Sequence, residues 1–208
     1  MKTLTFVLLV FALASCCKSK QKDIIRLSQS DLSVNLYTGN ETLEFIDDSS
    51  QIITYNSGVR SSTMEELGEC YGGCCDYYLV ETSNNTHFES EYLQSNLEIT
   101  ITNQFYRYTG KQFVPILSFT WAYKEVYENT TYSNYAILPV DSIEVVATNQ
   151  EIFKDSLIIR NTMYYQVFTL PGICSGEDRL FADTLFYTKT DGIIGLKFTD
   201  GNLWSLIN

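Results

Sequence analysis

The sequence predicts an all-β protein. We expect a single antiparallel β domain, either a sandwich or a partly open half-barrel, with a C-terminal β-meander and at most one or two short helices. Short segments rich in β-branched and aromatic residues recur along the chain. Turn residues separate these segments at close intervals, as in sandwiches and barrels. With 208 residues, 45% of them hydrophobic, the chain is long and apolar enough for one folded domain.

The N-terminal half of the domain should begin with a strand at residues 32–37. Residues 43–46 and 52–55 flank a cluster of turn residues and should form a hairpin. A capping box at residues 62–65 predicts one short helix before Cys70. The next strand candidates are residues 76–81, 97–102, 114–123 and 142–147, of which 97–102 alternates strictly between apolar and polar residues.

The C-terminal part gives the clearest local pattern. A second short helix is expected at residues 148–153, and strands are expected at 157–160 and 164–170. Asp191-Gly192 and Asp200-Gly201 then separate three apolar segments. An Asp-Gly pair marks a tight hairpin turn, because glycine accepts the positive φ that the turn requires. The chain should therefore end in an antiparallel meander of three strands.

The N-terminus predicts export. Lys2 precedes the apolar residues 6–14, which are too few for a membrane span of about 20 residues and typical of a secretory signal peptide. The motif Leu13-Ala14-Ser15-Cys16 resembles the lipobox of bacterial lipoproteins, in which the cysteine is lipidated after cleavage. This resemblance implies three regions: a signal peptide at residues 1–15, a lipidated tether at 16–30 and a single β domain at 31–208.

The charges are distributed unevenly. The formal net charge is −11, and residues 23–208 hold 10 basic and 25 acidic residues. Lys18, Lys20 and Lys22 lie in the tether, where they would favour anionic lipid head groups. The acidic body would be repelled by the same surface, so we expect it to be held away from the bilayer. The acidic excess also excludes sequence-independent binding to nucleic acid, which requires basic residues.

In its Asn-, Tyr- and Thr-rich composition and Lys-rich tether, the chain resembles uncharacterised β-rich lipoproteins of the Bacteroidota. In that group, the signal for export to the cell surface typically includes paired acidic residues soon after the lipidated cysteine. Here the first acidic residue is Asp23, seven positions after Cys16. The resemblance therefore implies a lipid anchor in the cell envelope, on the outer membrane and facing the periplasm. The late strands also resemble the half-barrel sheets of periplasmic lipoprotein carriers, which implies an alternative role as a carrier of lipid or another apolar ligand.

Cysteines are expected to form disulfides, because export leads to an oxidising compartment. Two sets of pairs stay open: Cys70–Cys74 with Cys75–Cys174, or Cys70–Cys75 with Cys74–Cys174. The cysteine spacing matches neither a zinc site nor a redox motif, and His87 is the only histidine. We therefore expect no metal, no cofactor and no catalytic centre.

Binding and modification have separate candidate residues. An exposed aromatic group is predicted beside a polar loop, where it would bind a ligand: Trp121, Tyr123, Tyr127, Tyr132 and Tyr135. Trp204 is expected in the core. Three sites resemble the O-glycosylation motif of Bacteroidota: Ser142, Ser156 and Thr184. Together these features favour a non-enzymatic envelope lipoprotein that binds a protein or a glycan.

Overall fold

The computed structural model describes residues 20–71, 74–90, 94–106, 112–125, 130–140, 149–174 and 182–207. These residues are almost entirely β-strand, with one helix of four residues, which confirms the predicted fold class. The elements in chain order are β1 (Lys20–Ile25), α1 (Gln29–Leu32), β2 (Leu43–Ile46), β3 (Ile52–Tyr71), β4 (Cys74–Ser90), β5 (Ser95–Tyr106), β6 (Gln112–Glu125), β7 (Thr130–Pro139), β8 (Phe153–Ile159), β9 (Thr162–Pro171), β10 (Ile173–Cys174), β11 (Ala182–Thr188), β12 (Gly192–Phe198) and β13 (Leu203–Leu206).

The described strands form one open sheet of 13 strands. Twelve of them follow the order β10-β7-β6-β5-β4-β3-β2-β13-β12-β11-β9-β8, and each strand on this path pairs antiparallel with its neighbours. The remaining strand, β1, pairs in parallel with β4. The sheet folds over on itself, so that β7 contacts β9 and β11.

The core lies between the two layers that this folding creates. Ring centroids of Phe119 and Tyr187 lie 5.1 Å apart, and those of Trp121 and Phe198 are separated by the same distance. Trp204, 6% exposed, packs beside them, which confirms its predicted place in the core. Such aromatic pairs add about 0.5–1.5 kcal/mol each beyond the burial of apolar area.

The predicted C-terminal meander is confirmed as β11, β12 and β13. Gly192 and Gly201 have φ of 76° and 89°, as the hairpin signal requires. At Gly192 a Cβ atom would also lie 2.2 Å from Oη of Tyr37. This hydroxyl accepts a hydrogen bond from the N–H of Ile193 at 2.7 Å. Position 192 therefore requires glycine, both for the conformation of the turn and for the close approach of Tyr37.

The helix predicted at residues 62–65 was wrong, because these residues lie inside β3. At 148–153, where a further turn of helix was expected, Thr148 lies outside the described residues, and the rest form a single turn before β8 in which the N–H of Phe153 donates to the carbonyl of Asn149 at 2.8 Å. At the first position, pairing with β4 outweighs the local capping signal: Ser62 Oγ donates to Glu81 Oε1 at 2.8 Å across the hairpin. The described helix, α1, instead begins at a capping box formed by Ser28 and Asp31.

Other strand predictions had mixed outcomes. Residues 32–37 were predicted as a strand, but they include the end of α1 and a loop. Asn35 and Tyr37 in this loop are buried, so the apolar pattern reflected burial rather than sheet pairing. The candidates at 76–81, 97–102, 114–123 and 164–170 lie in strands, and 157–160 does so except for its last residue. Residues 142–147 lie outside the described part of the chain.

A long hairpin extends beyond the core. We call residues 60–71 of β3 and 74–86 of β4 the ribbon. Its strands stay paired from Arg60 and Thr86 as far as Tyr71 and Cys74, where the hairpin ends. Val80 is buried within the ribbon, but the main core cluster begins at the level of Asn84, whose partner Ile101 is fully buried. The end of the ribbon at residues 69–71 and 74–76, the ribbon tip, therefore lies beyond the main core, and Asp76 is eight residues along β4 from Asn84.

Candidate functional site

The N-terminal strand enters the domain at the ribbon tip. Lys20 of β1 lies opposite Asp76, and Ile25 lies opposite Val80, so the chain runs from the tip towards the core. Leu27 then becomes buried, and its N–H donates to Glu81 Oε2 at 3.1 Å. Residues 20–25, which were predicted as part of the lipidated tether at 16–30, thus belong to the sheet.

This strand limits where the predicted lipidation site lies. Cys16 is outside the described residues, and it precedes Lys20 by four residues. A chain of four residues spans at most about 14 Å when fully extended. Cys16 must therefore lie within about 14 Å of Lys20, at the end of β1 that adjoins the ribbon tip.

The backbone register separates the body cysteines. Cys70 lies directly opposite Cys75 at the ribbon tip. Cys174 lies elsewhere along the sheet. It pairs with residue 134, which pairs with residue 121, which pairs with residue 97, and residue 97 pairs with Phe88. Cys174 is therefore at the level of Phe88. Thirteen residues of β4 separate Phe88 from Cys75, which corresponds to about 43 Å of extended strand.

A disulfide requires Cα atoms within about 7 Å of each other. The register therefore disagrees with both expected bonds to Cys174, whether from Cys74 or from Cys75. Local spacing could not reveal this, because it does not report how far β10 lies from the ribbon tip. The side chains of the four cysteines lie outside the described part of the structure. The register leaves Cys70 and Cys75 as the matched pair.

Trp121 does not belong to an exposed aromatic group. Its side chain is 5% exposed, and its indole N–H donates to Oη of Tyr55 at 2.8 Å. Tyr55 in turn shares a 2.8 Å hydrogen bond with Ser95 Oγ. Burial raises the pKa of Tyr55 to about 12, so its hydroxyl stays neutral and can serve this network. Trp121 was predicted to be exposed and to contact a ligand, but it is buried and stabilises the core.

The other predicted aromatic residues give no complete surface. Tyr135 is 41% exposed, and it pairs with Thr120 and Ile173. Tyr123 and Tyr132 are paired across β6 and β7, and their side chains lie outside the described part of the structure. Tyr127 lies wholly outside it. Within the described side chains, Tyr135 is the member of this group that faces solvent.

A different apolar surface was missed by the sequence interpretation. Ile158, Met163 and Tyr165 are 63%, 51% and 66% exposed. Ile158 and Met163 are directly paired across β8 and β9, and Tyr165 follows two residues along the strand. We call these three residues the apolar strip. The residue pattern of the sequence correctly predicted strands at β8 and β9. It could not show which face of these strands the rest of the sheet would cover.

A hydrogen-bonded network fixes the end of the molecule beside the apolar strip. Arg160, in the β8–β9 turn, binds Asp48 Oδ1 at 2.7 Å and the carbonyl of Leu203 at 3.2 Å. Asp48 Oδ2 accepts the N–H of Leu203 at 2.9 Å. These contacts join the turns that follow β2 and β8 to the start of β13. The β2–β3 turn lies at the opposite end of β3 from the ribbon tip, so the apolar strip does as well.

One cavity lined by described residues is too small for an organic ligand. A cavity between the layers has a volume of about 10 Å³, which suits the centre of one water molecule. Leu97, Phe119 and Leu185 line it, together with Asn134, whose Oδ1 has no hydrogen-bond partner. Sites for small organic ligands are commonly 300 Å³ or larger. This cavity gives no support to the carrier hypothesis.

The predicted modification sites differ in access. Ser156 is exposed on β8, at the end of the sheet order. Thr184 is half-buried in β11, between β9 and β12. Ser142 lies outside the described residues. Of the two sites that the structure describes, Ser156 is therefore the more accessible to an enzyme.

His87 contacts a neighbouring carboxylate, with Nε2 3.1 Å from Glu89 Oε1 on the same strand. No group of three His, Cys, Asp or Glu side chains suited to a metal ion occurs among the described residues. In that part of the chain, no helix is both long and apolar enough to cross a membrane. Comparison of the chain with models of protein families, with curated proteins and with solved structures finds no match.

Proposed function

We propose that this protein is a lipoprotein of the bacterial cell envelope, anchored through Cys16 to the outer membrane and facing the periplasm. In this proposal it binds a protein or a glycan and catalyses no reaction. The observation that carries the anchor is the motif Leu13-Ala14-Ser15-Cys16 after a short apolar segment. The direction of β1 supports it, because the fold begins at the ribbon tip and not within the core.

The apolar strip supports a binding role. Exposed neighbouring Ile, Met and Tyr side chains are typical of surfaces that bind partners, since their exposure to water is unfavourable. Ile52 begins β3, and Glu69 at the ribbon tip follows 17 positions later, which corresponds to about 56 Å of extended strand. The strip would thus face the periplasm, far from the anchor. An accessible Ser156 beside it is the preferred site for a glycan.

The anchor is tested by labelling the full chain in a bacterial host with an alkyne analogue of palmitate. We expect the wild type and Cys17→Ser to incorporate the label and to sediment with membranes. Cys16→Ser should do neither, because its hydroxyl cannot receive the lipid. Labelling of Cys16→Ser at the level of the wild type would overturn the proposed anchor.

The binding surface is tested with a photoactivatable amino acid placed at Tyr165 or, as control, at exposed Ser61 on the ribbon. We expect discrete crosslinked products from position 165 and none of these products from position 61. Adding Ile158→Asp should abolish them, because a charge replaces an apolar contact. Identical products from both positions, or products that survive Ile158→Asp, would contradict a binding role for the apolar strip.

A further inference from the structure

We infer that the ribbon tip, residues 69–71 and 74–76, contacts the bilayer surface, with lipid head groups as its partner. The ribbon then holds the main core about 26 Å away from the membrane. This inference deepens the proposed function and rests on lipidation of Cys16. It differs from a flexible tether, which would leave the orientation of the domain undefined.

The first support is the distance that the chain can span. The parallel register fixes Lys20 opposite Asp76, and only four residues connect Lys20 to the anchored cysteine. These residues reach at most about 14 Å. Wherever the lipid enters the bilayer, the start of β1 is therefore close to the head groups, and β4 is hydrogen-bonded to it.

The second support is the length of the ribbon. From Asp76 to Asn84, which pairs with the core residue Ile101, β4 covers eight residues, or about 26 Å of extended strand. β1 reinforces this length by pairing with residues 76–80. A contact between the rings of Tyr78 and Phe113, 5.2 Å apart, shows that β6 also adjoins the ribbon. Several strands thus support the ribbon, which makes it a spacer of defined length.

The third support is the distribution of charge. In the sequence, six consecutive uncharged residues, 70–75, separate Glu69 from Asp76, and the described ones among them, 70, 71, 74 and 75, belong to the ribbon tip. Tyr71 is among them, and tyrosine is enriched where proteins meet membrane interfaces. Lys20 and Lys22 on β1 are exposed nearby and favour anionic head groups.

The rest of the ribbon is acidic. Its remaining acidic residues include Glu65, Glu66 and Glu81, in addition to the two that flank the uncharged end. A ribbon lying flat on an anionic bilayer would bring these carboxylates against the surface, which is unfavourable. Contact through the tip alone limits this repulsion to Glu69 and Asp76 and keeps the other three carboxylates away from the surface. The charges therefore favour an orientation in which the ribbon stands on its end.

The inference is tested by fluorescence of the full lipidated chain in vesicles of phosphatidylethanolamine and phosphatidylglycerol with acyl chains brominated near the head groups. Tyr71→Trp places a reporter at the tip, Ser61→Trp near the base of the ribbon and Tyr165→Trp at the far end. Native Trp121 and Trp204 are buried and supply a constant background. We expect brominated lipid to lower the emission of the tip reporter at least twofold and to leave the other two unchanged.

Two results would overturn the inference. If the lipidated chain floats with the vesicles and Tyr71→Trp is unquenched, the tip is remote from lipid although the anchor is present. If all three reporters are quenched, the domain lies on the membrane. Should Tyr71→Trp fail to fold, Glu69→Trp makes the same measurement at the tip. A chain whose mass includes no acyl group at Cys16 overturns the proposed function as well, so the two failures are distinguishable.

Discussion

At the scale of single residues, Trp121 shows how burial decides the role of an aromatic side chain. The sequence places it beside a polar loop, yet it packs against Phe198 and Trp204 and donates to Tyr55. Its neighbour Tyr135 lies on the adjoining strand and is exposed. Composition identified the aromatic residues, but only the folding of the sheet determined which of them face the core.

Truncation should separate these roles. We expect Trp121→Ala to lower the free energy of unfolding by about 3–5 kcal/mol, because it creates a cavity and leaves buried Tyr55 without its donor. Tyr135→Ala should change it by about 0.5 kcal/mol or less, since the side chain is exposed. Urea unfolding followed by circular dichroism measures both. Equal losses would show that Trp121 is not a core residue.

The two hairpin glycines form a matched pair for a second prediction. Gly201→Ala meets no atom within 4 Å, so we expect only the cost of the left-handed conformation, about 1–2 kcal/mol. Gly192→Ala carries the same cost and also collides with Tyr37 Oη. It should therefore lose at least about 1 kcal/mol more in thermal unfolding. A smaller loss for Gly192→Ala than for Gly201→Ala would refute the fit between this turn and Tyr37.

The Asp47 carboxylate should contribute to the loss of folding stability at acidic pH. The hydroxyl of Ser49 first, and then the N–H of Gln51, hold the pKa of Asp47 below its usual range. Stabilisation by this group is complete above its unfolded-state pKa of about 4 and disappears as pH falls through the lower folded value. Between about pH 5 and pH 3, wild-type stability should fall more steeply than that of Asp47→Asn. Parallel pH profiles would exclude this contribution.

At the scale of elements, the C-terminal meander was predictable because each turn is specified by two adjacent residues. The long strands β3 and β4 were not predictable to the same extent. A helix-capping pattern at 62–65 and frequent polar residues interrupt their apolar pattern. Their stability comes from cross-strand pairing, including the hydrogen bond from Ser62 to Glu81, which local sequence does not reveal.

The register at the ribbon tip predicts a disulfide between Cys70 and Cys75, formed as the chain meets a disulfide oxidant during export. Proteolysis without reductant, followed by mass spectrometry, should recover these two cysteines in linked peptides. Cys174→Ser should leave the linkage unchanged, because Cys174 is remote in the register. Peptides that link Cys174 to Cys74 or Cys75 would contradict the register of the ribbon.

At the scale of the whole molecule, the candidate sites lie at two ends. The ribbon tip adjoins the predicted anchor, and the apolar strip lies beside the turns that Arg160 and Asp48 hold together. The sequence suggested both an anchor and a body held away from the membrane. It attributed the separation to repulsion between the acidic body and the head groups, and it counted residues 20–25 as tether, whereas these residues are part of the sheet. Long-range pairing of β1 with β4 was beyond any local signal.

Neutron reflectometry of the full lipidated chain on a supported bilayer tests the central claim most directly. We expect a thin layer of lower protein density next to the head groups, about 26 Å deep, followed by a denser layer that contains the main core. The thin layer should persist at high salt, because strand pairing rather than charge repulsion sets its depth. A dense layer that begins at the head groups would contradict the account.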